Sequence, residues 1–133
     1  MAGEKIMVVD DNKEFLEEIS ETLFLCGYEP KTVLNSTAAA YLAGKMHPDL
    51  ILLDLRMNRM NGFQVAEQLK KSKQTSDIPI IAMSGYFPVE KQTLLDLSNM
   101  EGRLRKPFAI FDLINQIEAI LAAKKNKQNS LTP

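Results

Sequence analysis

The sequence predicts an α/β protein built on a parallel sheet of five strands with five flanking helices. Three apolar runs, at 6–9, 50–53 and 78–83, have the length of strands and lack polar alternation, which is typical of strands buried on both faces. Segments with helical periodicity lie between the strands, and this alternation predicts right-handed βαβ units. At 133 residues, of which 45% are hydrophobic and 25% charged, the chain is predicted to be one globular domain.

The N-terminal half contains the first strand, a capped helix, a weaker strand and a second helix. Asn12 can cap the first helix and Gly27 can end it. The inward face of this helix is predicted to consist of Leu16, Ile19, Leu23 and Cys26. The single cysteine is therefore expected to be a reduced thiol in the core. A second strand is predicted at 29–33, followed by a helix over 37–45 that Ser36 caps.

In the C-terminal half, three further helical segments are predicted after the third strand. A helix is predicted over 62–73, and a fourth segment, 88–97, has poor apolar spacing. A short fifth strand at 102–105 precedes the clearest helix, 109–124, whose apolar residues follow the 3.6-residue period. The remaining polar residues, 125–133, are expected to form a disordered tail. The predicted domain therefore covers residues 4–124.

The overall charge and hydropathy exclude several classes of protein. The net charge is −1, so nothing predicts attraction to nucleic acid or to an anionic membrane surface. No apolar run approaches membrane-spanning length, and the N-terminus lacks the apolar stretch of a signal peptide. We expect a cytoplasmic protein.

Reactive side chains follow four of the five predicted strands. Asp10 and Asp11 follow the first strand, Asp54 the third, Ser84 the fourth and Lys106 the fifth. In an open parallel sheet, ligands bind beyond the carboxyl ends of the strands, where the strand order reverses. These five side chains are therefore predicted to form one site.

Three neighbouring carboxylates repel one another unless a cation lies between them, and Mg²⁺ prefers such oxygen ligands. Mg²⁺ would leave positions open for a phosphoryl oxygen, and Lys106 and Ser84 could contact further oxygens. Asp54, on the central strand, is predicted to be the nucleophile that attacks phosphorus, with Asp10 and Asp11 as metal ligands. Without metal the site should be strained, so Asp10→Asn is expected to raise stability in metal-free buffer.

Four motifs in order, VVDDN, LLDLRMNRMNG, IAMSG and KPF, resemble those of the receiver domain of two-component response regulators. The resemblance covers roughly residues 4–124 and implies a flavodoxin-like doubly wound sheet with strand order 2-1-3-4-5. It also implies that a sensor histidine kinase or a phosphotransfer protein donates a phosphoryl group in a Mg²⁺-dependent reaction. Such a domain catalyses only its own phosphoryl transfer and dephosphorylation, and is not otherwise an enzyme.

The resemblance also assigns roles to single residues. Asp54 corresponds to the phosphoacceptor, and Asp11 to the direct metal ligand. Asp10 corresponds to a ligand that acts largely through water, and the backbone carbonyl of Arg56 to a further ligand. Lys106 and Ser84 correspond to the pair that senses the phosphate.

Three residues depart from the family pattern. Asn58 stands where the family usually has proline and is expected to loosen the loop after Asp54, while Ser84 replaces the commoner threonine. Arg103 stands where the family usually has an aromatic switch residue. Because burying an unpaired guanidinium is expensive, we expect Arg103 to stay partly exposed, with Tyr86 or Phe87 as the moving aromatic. The surrounding face, formed by the fourth helix, fifth strand and fifth helix, is a candidate homodimer interface.

Other functions remain as alternatives. A degenerate receiver could act as a phosphorylation-independent interaction module, although all five site residues are present. An aspartate-nucleophile phosphatase would want an acid two residues after Asp54, where Arg56 stands. A flavin-binding electron carrier would need a hydroxyl- and glycine-rich loop after the first strand, where this chain has two acids.

Overall fold

The structure, a computed structural model, describes residues 3–85 and 100–130 of the chain. Five strands form a single sheet in the order β2-β1-β3-β4-β5, and every pair is parallel. The strands are β1 (Lys5–Val9), β2 (Glu29–Val33), β3 (Leu50–Asp54), β4 (Ile80–Ser84) and β5 (Gly102–Arg105). The predicted fold class and the strand order implied by the resemblance are both confirmed.

Within the described residues three α-helices connect strands, and a fourth follows β5. They are α1 (Lys13–Leu25), α2 (Ala39–Met46), α3 (Gly62–Lys71) and α4 (Ile110–Ser130), and a short 3₁₀ helix at Ser36–Ala38 precedes α2. The fourth predicted helix, 88–97, lies outside the described residues. Among the helices that the structure describes, none is both long and apolar enough to cross a membrane.

The core lies on both faces of the sheet. One hydrophobic cluster contains Met7, Val9, Ile51 and Leu53 of the sheet together with residues of α2 and α3. The other contains alternate residues of the same strands, such as Val8 and Leu52, with residues of α1 and α4. Because both faces of β1 and β3 are covered, these strands are apolar at every position except Lys5 at the start of β1 and Asp54 at the end of β3.

The ends of α1 follow from local hydrogen bonds. The Asn12 side chain accepts from the Phe15 N–H at 3.1 Å, which confirms the predicted N-cap. At the other end, the Tyr28 N–H donates to the Leu23 carbonyl and the Gly27 N–H to the Phe24 carbonyl. Gly27 has a φ of +94°, so this is a Schellman motif whose left-handed residue is glycine.

Two predictions about the N-terminal half are wrong. Cys26 is exposed rather than in the core, because the helix ends at Leu25 and Cys26 serves as its C-cap. The predicted cap, Ser36, does not cap this segment; Asn35 does, since its side chain accepts from the Thr37 N–H at 3.0 Å. The Ser36 side chain turns inward and is only 3% exposed.

The last helix is longer than predicted. A disordered tail was expected over 125–133, but α4 continues through Ser130, so residues 125–130 are helical; residues 131–133 lie outside the described residues. Helix α4 is held by Leu113 and Ile117, which are fully buried, whereas residues 125–127 are exposed. No glycine or proline interrupts 125–130, so a polar composition that predicted disorder is equally compatible with a solvent-exposed helix end.

Strand β2 forms one edge of the sheet and pairs with β1 alone. The Glu29 N–H donates to the Glu4 carbonyl at 2.9 Å, toward the sheet. Because successive N–H groups of a strand point in opposite directions, the nitrogen of Pro30 faces the open edge. The ring therefore removes no hydrogen bond from the β1–β2 ladder.

Candidate functional site

Three carboxylates meet at the carboxyl edge of the sheet. Asp10 directly follows β1 and is fully buried, Asp54 is the last residue of β3 and is 6% exposed, and Asp11 is exposed. One oxygen of each lies within 4.8 Å of the others. Since β1 and β3 are adjacent and parallel, their ends coincide, and the sequence prediction that these acids converge agrees with the structure.

Backbone N–H groups orient each of these carboxylates. Asp10 Oδ1 accepts from the Asn12 N–H at 2.9 Å, and Asp54 Oδ1 accepts from the Arg56 N–H at 3.1 Å. Asp11 Oδ2 accepts from the Asn58 N–H at 3.0 Å. The last contact does not agree with the expectation that Asn58 loosens its loop, because this N–H ties the loop to Asp11.

Lys106, which directly follows β5, joins the cluster. Its Nζ lies 2.5 Å from Asp10 Oδ2, forming an ion pair whose carboxylate is fully buried. The same Nζ lies 4.1 Å from the centroid of the Phe15 ring, and that ring packs edge-on against Phe108 at 6.3 Å. A cation over an aromatic face is stabilised by the ring quadrupole.

The contact between Phe15 and Lys106 is a part of the site that the sequence analysis missed. Phe15 lies next to Leu16 on α1, and its apolar character gives no sign of a charged partner. The two residues are far apart in the chain, so the pairing depends on how α1 packs across the sheet. The aromatic in the KPF motif, Phe108, was the available signal, since it completes the same aromatic pair.

Ser84 ends β4 and is half-buried. Asp54 is in register with Met83 on the neighbouring strand, so Ser84 lies one residue farther than Asp54 in the direction of the strands. The Lys106 N–H donates to the Ser84 carbonyl at 2.7 Å. The ends of β4 and β5 are thus hydrogen-bonded to each other where Ser84 and Lys106 lie.

Burial raises the pKa of Asp54 from its ordinary value of 3.8 to about 6. The Arg56 N–H and the Lys106 ammonium oppose this rise, while the charges on Asp10 and Asp11 add to it. The electrostatic destabilisation expected of a metal-free site is therefore the cost of ionising Asp54. Asp10 is ion-paired with Lys106, so Asp10→Asn would remove a stabilising partner of the lysine. The gain in stability without metal that was expected for Asp10→Asn is therefore expected instead for the removal of the Asp54 charge.

The donor set suits a hard divalent cation. Three carboxylates lie within reach of one ion, and one of them is already paired with Lys106. Carboxylate oxygens are the ligands of Mg²⁺ and Ca²⁺, and Mg²⁺ uses few protein ligands and keeps several waters. A cluster of two buried acids and one exposed acid at the carboxyl edge of the sheet fits that pattern.

Arg103 on β5 is exposed, as the sequence analysis predicted for its side chain. Its backbone carbonyl accepts from Gln116 Nε2 at 2.9 Å, which ties β5 to α4. The Arg56 side chain is exposed as well, and the use of its carbonyl as a metal ligand stays a prediction. The predicted moving aromatics, Tyr86 and Phe87, lie outside the described residues.

A comparison with protein families agrees with the arrangement of the site. The model of the response regulator receiver domain matches residues 6–118, most of the chain. The chain belongs to the response regulator receiver family. Receiver domains are signalling switches of two-component systems, so the class inferred from the four motifs is confirmed.

Several proteins of this family resemble the chain. The phosphate regulon transcriptional regulatory protein PhoB of Pseudomonas aeruginosa is 31% identical over 91% of the chain, which spans 53% of PhoB. The receiver domain thus covers about half the length of such regulators. The chemotaxis protein CheY4 of Vibrio cholerae is 28% identical with a TM-score of 0.82, and the match covers 89% of this chain and 98% of CheY4.

A third structure is the receiver domain of the sensor histidine kinase PA1611 from Pseudomonas aeruginosa, with a TM-score of 0.84 and 24% identity. The match covers 91% of this chain and 99% of that one. The PA1611 structure has a magnesium ion coordinated in its active site cleft. At this level of identity, the likeness supports the common fold.

Proposed function

We propose that this receiver domain accepts a phosphoryl group on Asp54 from a histidine kinase or a phosphotransfer protein, in a Mg²⁺-dependent reaction that changes its interaction surface. One observation carries the proposal: oxygens of Asp10, Asp11 and Asp54 lie within 4.8 Å of one another, with Lys106 in contact with Asp10. A purely structural role would not explain three carboxylates at a strand edge, because their mutual repulsion destabilises the fold.

The metal would be held by the carboxylates of Asp10, Asp11 and Asp54 and by the backbone carbonyl of Arg56. Bound there, Mg²⁺ supplies positive charge that offsets the repulsion between Asp54 and the incoming phosphoryl oxygens. Asp10 and Asp54 are oriented by backbone N–H donors, so their oxygens are held in place before the donor arrives.

Asp54 acts as the nucleophile. With a pKa of about 6, most of its carboxylate is ionised at neutral pH. A carboxylate oxygen forms a bond to phosphorus while the bond from phosphorus to the donor histidine nitrogen breaks. The electron pair of that bond goes to the nitrogen, and the imidazole leaves as the neutral ring because its other nitrogen carries a proton.

Lys106 and Ser84 respond to the new charge. The Lys106 ammonium contacts Asp10 in this structure and can also pair with a phosphoryl oxygen, while the Ser84 hydroxyl can donate to another. Because the two residues are joined by a backbone hydrogen bond, a phosphoryl group that contacts either residue would affect the ends of both strands. The change would pass to the loop after Ser84, with Tyr86 or Phe87 moving, and to the face around Arg103, which we propose as the homodimer interface.

Intact-mass measurement after incubation with acetyl phosphate tests the proposal. The parent chain should gain the mass of one phosphoryl group in Mg²⁺ and none in EDTA, and Asp54→Asn should gain none. Asp77→Asn, which alters an exposed acid away from the cluster, should be labelled like the parent. Labelling of Asp54→Asn, or equal labelling in EDTA, would contradict the assignment.

A further inference from the structure

Among the described residues, the Lys106 ammonium pairs with the carboxylate of Asp10. Its Nζ lies 2.5 Å from Asp10 Oδ2, and the other oxygen of Asp10 accepts from the Asn12 N–H at 2.9 Å. The lysine side chain is 24% exposed, and its flexible four-carbon stem gives the ammonium alternative positions. One ion pair therefore does not by itself fix the ammonium beside the acidic cluster.

An aromatic ring lies against the same ammonium. Lys106 Nζ is 4.1 Å from the centroid of the Phe15 ring, a distance at which the negative face of the ring attracts a cation. Phe108, two residues after Lys106, packs edge-on against that ring, with an angle of 81° between the two ring planes. Asp10 and Phe15 thus contact one ammonium from two elements, the residue after β1 and the first turn of α1.

The start of α1 and Phe108 fix the position of the Phe15 ring. The Phe15 N–H donates to the side chain of Asn12, the N-cap, at 3.1 Å, so the backbone of Phe15 is tied to the segment that follows Asp10. Edge-to-face packing on Phe108 adds an orientation preference for the ring. Both rings are half-buried, and a cation–π contact strengthens as water is excluded from it.

We propose that Phe15 is a positioning residue for Lys106, because its ring face holds the ammonium at Asp10, beside the group that Asp54 would carry. Oxygens of Asp10 and Asp54 lie within 4.8 Å of each other, so an ammonium at Asp10 is close to a phosphoryl group on Asp54. The inference rests on the phosphotransfer proposed above and adds to it a residue that acts through Lys106 alone. Without the ring, the ammonium would spend a smaller fraction of the time in place, and the rate of phosphorylation would fall with that fraction.

Phe15→Leu removes the ring face and keeps an apolar side chain at the start of α1. With acetyl phosphate in saturating Mg²⁺, its rate of labelling should fall about three- to tenfold, the range that a cation–π contact allows. This small donor needs no docking surface, so the rate reports on the site itself. Phe15→Tyr keeps the ring face and should restore the rate to within about twofold of the parent. Phe24→Leu, which removes a 69% exposed ring on the same helix, should be labelled at the parent rate.

A trifluorinated phenylalanine at position 15 separates the charge of the ring face from its shape. Fluorine withdraws electrons from the ring and weakens the attraction of its face for a cation, while the size of the ring changes little. Labelling of this protein should be slower than that of the parent by about threefold. A purely apolar role for Phe15 predicts no change.

NMR spectroscopy of the metal-free protein gives a result that does not depend on the reaction. The ring current of Phe15 should move the Lys106 Cε protons upfield of those of the other lysines, in the parent and in Phe15→Tyr. The shift should disappear in Phe15→Leu, and the signal is assigned by its loss in Lys106→Arg.

All variants are compared at a temperature where circular dichroism shows them folded. Labelling of Phe15→Leu or of the trifluorinated protein at the parent rate would overturn the inference while leaving the proposed function intact, as would a parent whose Lys106 signal shows no upfield shift. Equal slowing in Phe15→Leu and Phe15→Tyr would also overturn it, by assigning the effect to packing. A parent chain that is not labelled in Mg²⁺ would overturn the proposed function, and the inference with it.

Discussion

The ionised form of Asp54 destabilises the folded state. Burial and two neighbouring acids raise its pKa to about 6, whereas in the unfolded chain it returns to its ordinary value of 3.8. Between these values the folded protein binds more protons than the unfolded one, so the free energy of unfolding falls as the pH rises. The contribution of Asp54 to stability is largest below about pH 4 and is lost by about pH 7.

We expect Asp54→Asn to remove this pH dependence in metal-free buffer. A pKa difference of about two units corresponds to about 2–3 kcal/mol, so the variant should be more stable than the parent by about that amount at pH 7.5 and nearly equal to it at pH 4. Urea denaturation at several pH values in EDTA measures the difference. Stability curves that run parallel from pH 4 to pH 7.5 would show that Asp54 is not strained. In saturating Mg²⁺ the advantage of the variant should shrink, because the parent alone keeps all three carboxylates.

At the scale of a single element, α3 begins where the chain passes closest to Asp54. A Cβ added to Gly62 would lie 2.5 Å from the Asp54 carbonyl oxygen and 2.6 Å from the Leu55 Cα. Both are backbone atoms, which cannot move aside without displacing the end of β3. Glycine at 62 is therefore required by the close packing of the helix start against the end of β3.

We expect Gly62→Ala to destabilise the protein by about 1–3 kcal/mol, the usual result of overpacking, although alanine is the better helix former. Gly44 in α2 is the matched control. An added Cβ there would meet only the end of the Gln74 side chain, at 3.3 Å, so Gly44→Ala should be neutral or stabilising by about 0.5–1 kcal/mol. Thermal and urea denaturation of the two variants compare them. A Gly62→Ala protein as stable as the parent would mean that the close approach is absent.

The elements show what could be read from the sequence and what could not. The buried strands were predictable because β1, β3 and β4 are covered on both faces, which leaves an uninterrupted apolar run. The site acids were predictable because parallel strands end together. Cys26 was misplaced because the apolar period does not reveal that α1 stops one residue earlier.

Contacts between distant segments were beyond the sequence. Nothing in the local pattern links Phe15 with Lys106, since the pair depends on the packing of two connections. The prediction for Asn58 considered only the stiffness that a proline at this position would give to the loop. The structure instead shows the use of its N–H, a group that every residue except proline carries and that no side-chain pattern reports.

For the whole molecule, stability comes from two hydrophobic layers that share one sheet. Leu52 and Leu53 are neighbours on β3 and both are fully buried, yet Leu52 packs toward α1 and α4 and Leu53 toward α2 and α3. Leu52→Ala and Leu53→Ala should each lower the free energy of unfolding by about 2–5 kcal/mol. A sheet covered on one face only would make one of the two nearly neutral. Urea denaturation distinguishes these cases, with Phe111→Ala, which truncates a 71% exposed side chain, as a control expected to change stability by less than about 0.5 kcal/mol.

The open edge of β2 affects how readily copies of the molecule associate at high concentration. An added strand from another molecule would need hydrogen-bond donors along that edge, and the nitrogen that faces outward at Pro30 has none. Lys31 and Glu29, paired at 3.2 Å, place charge beside the same position. Both features disfavour edge-to-edge growth into aggregates on this side of the sheet. A single ring in an otherwise ordinary strand helps to keep the sheet at five strands.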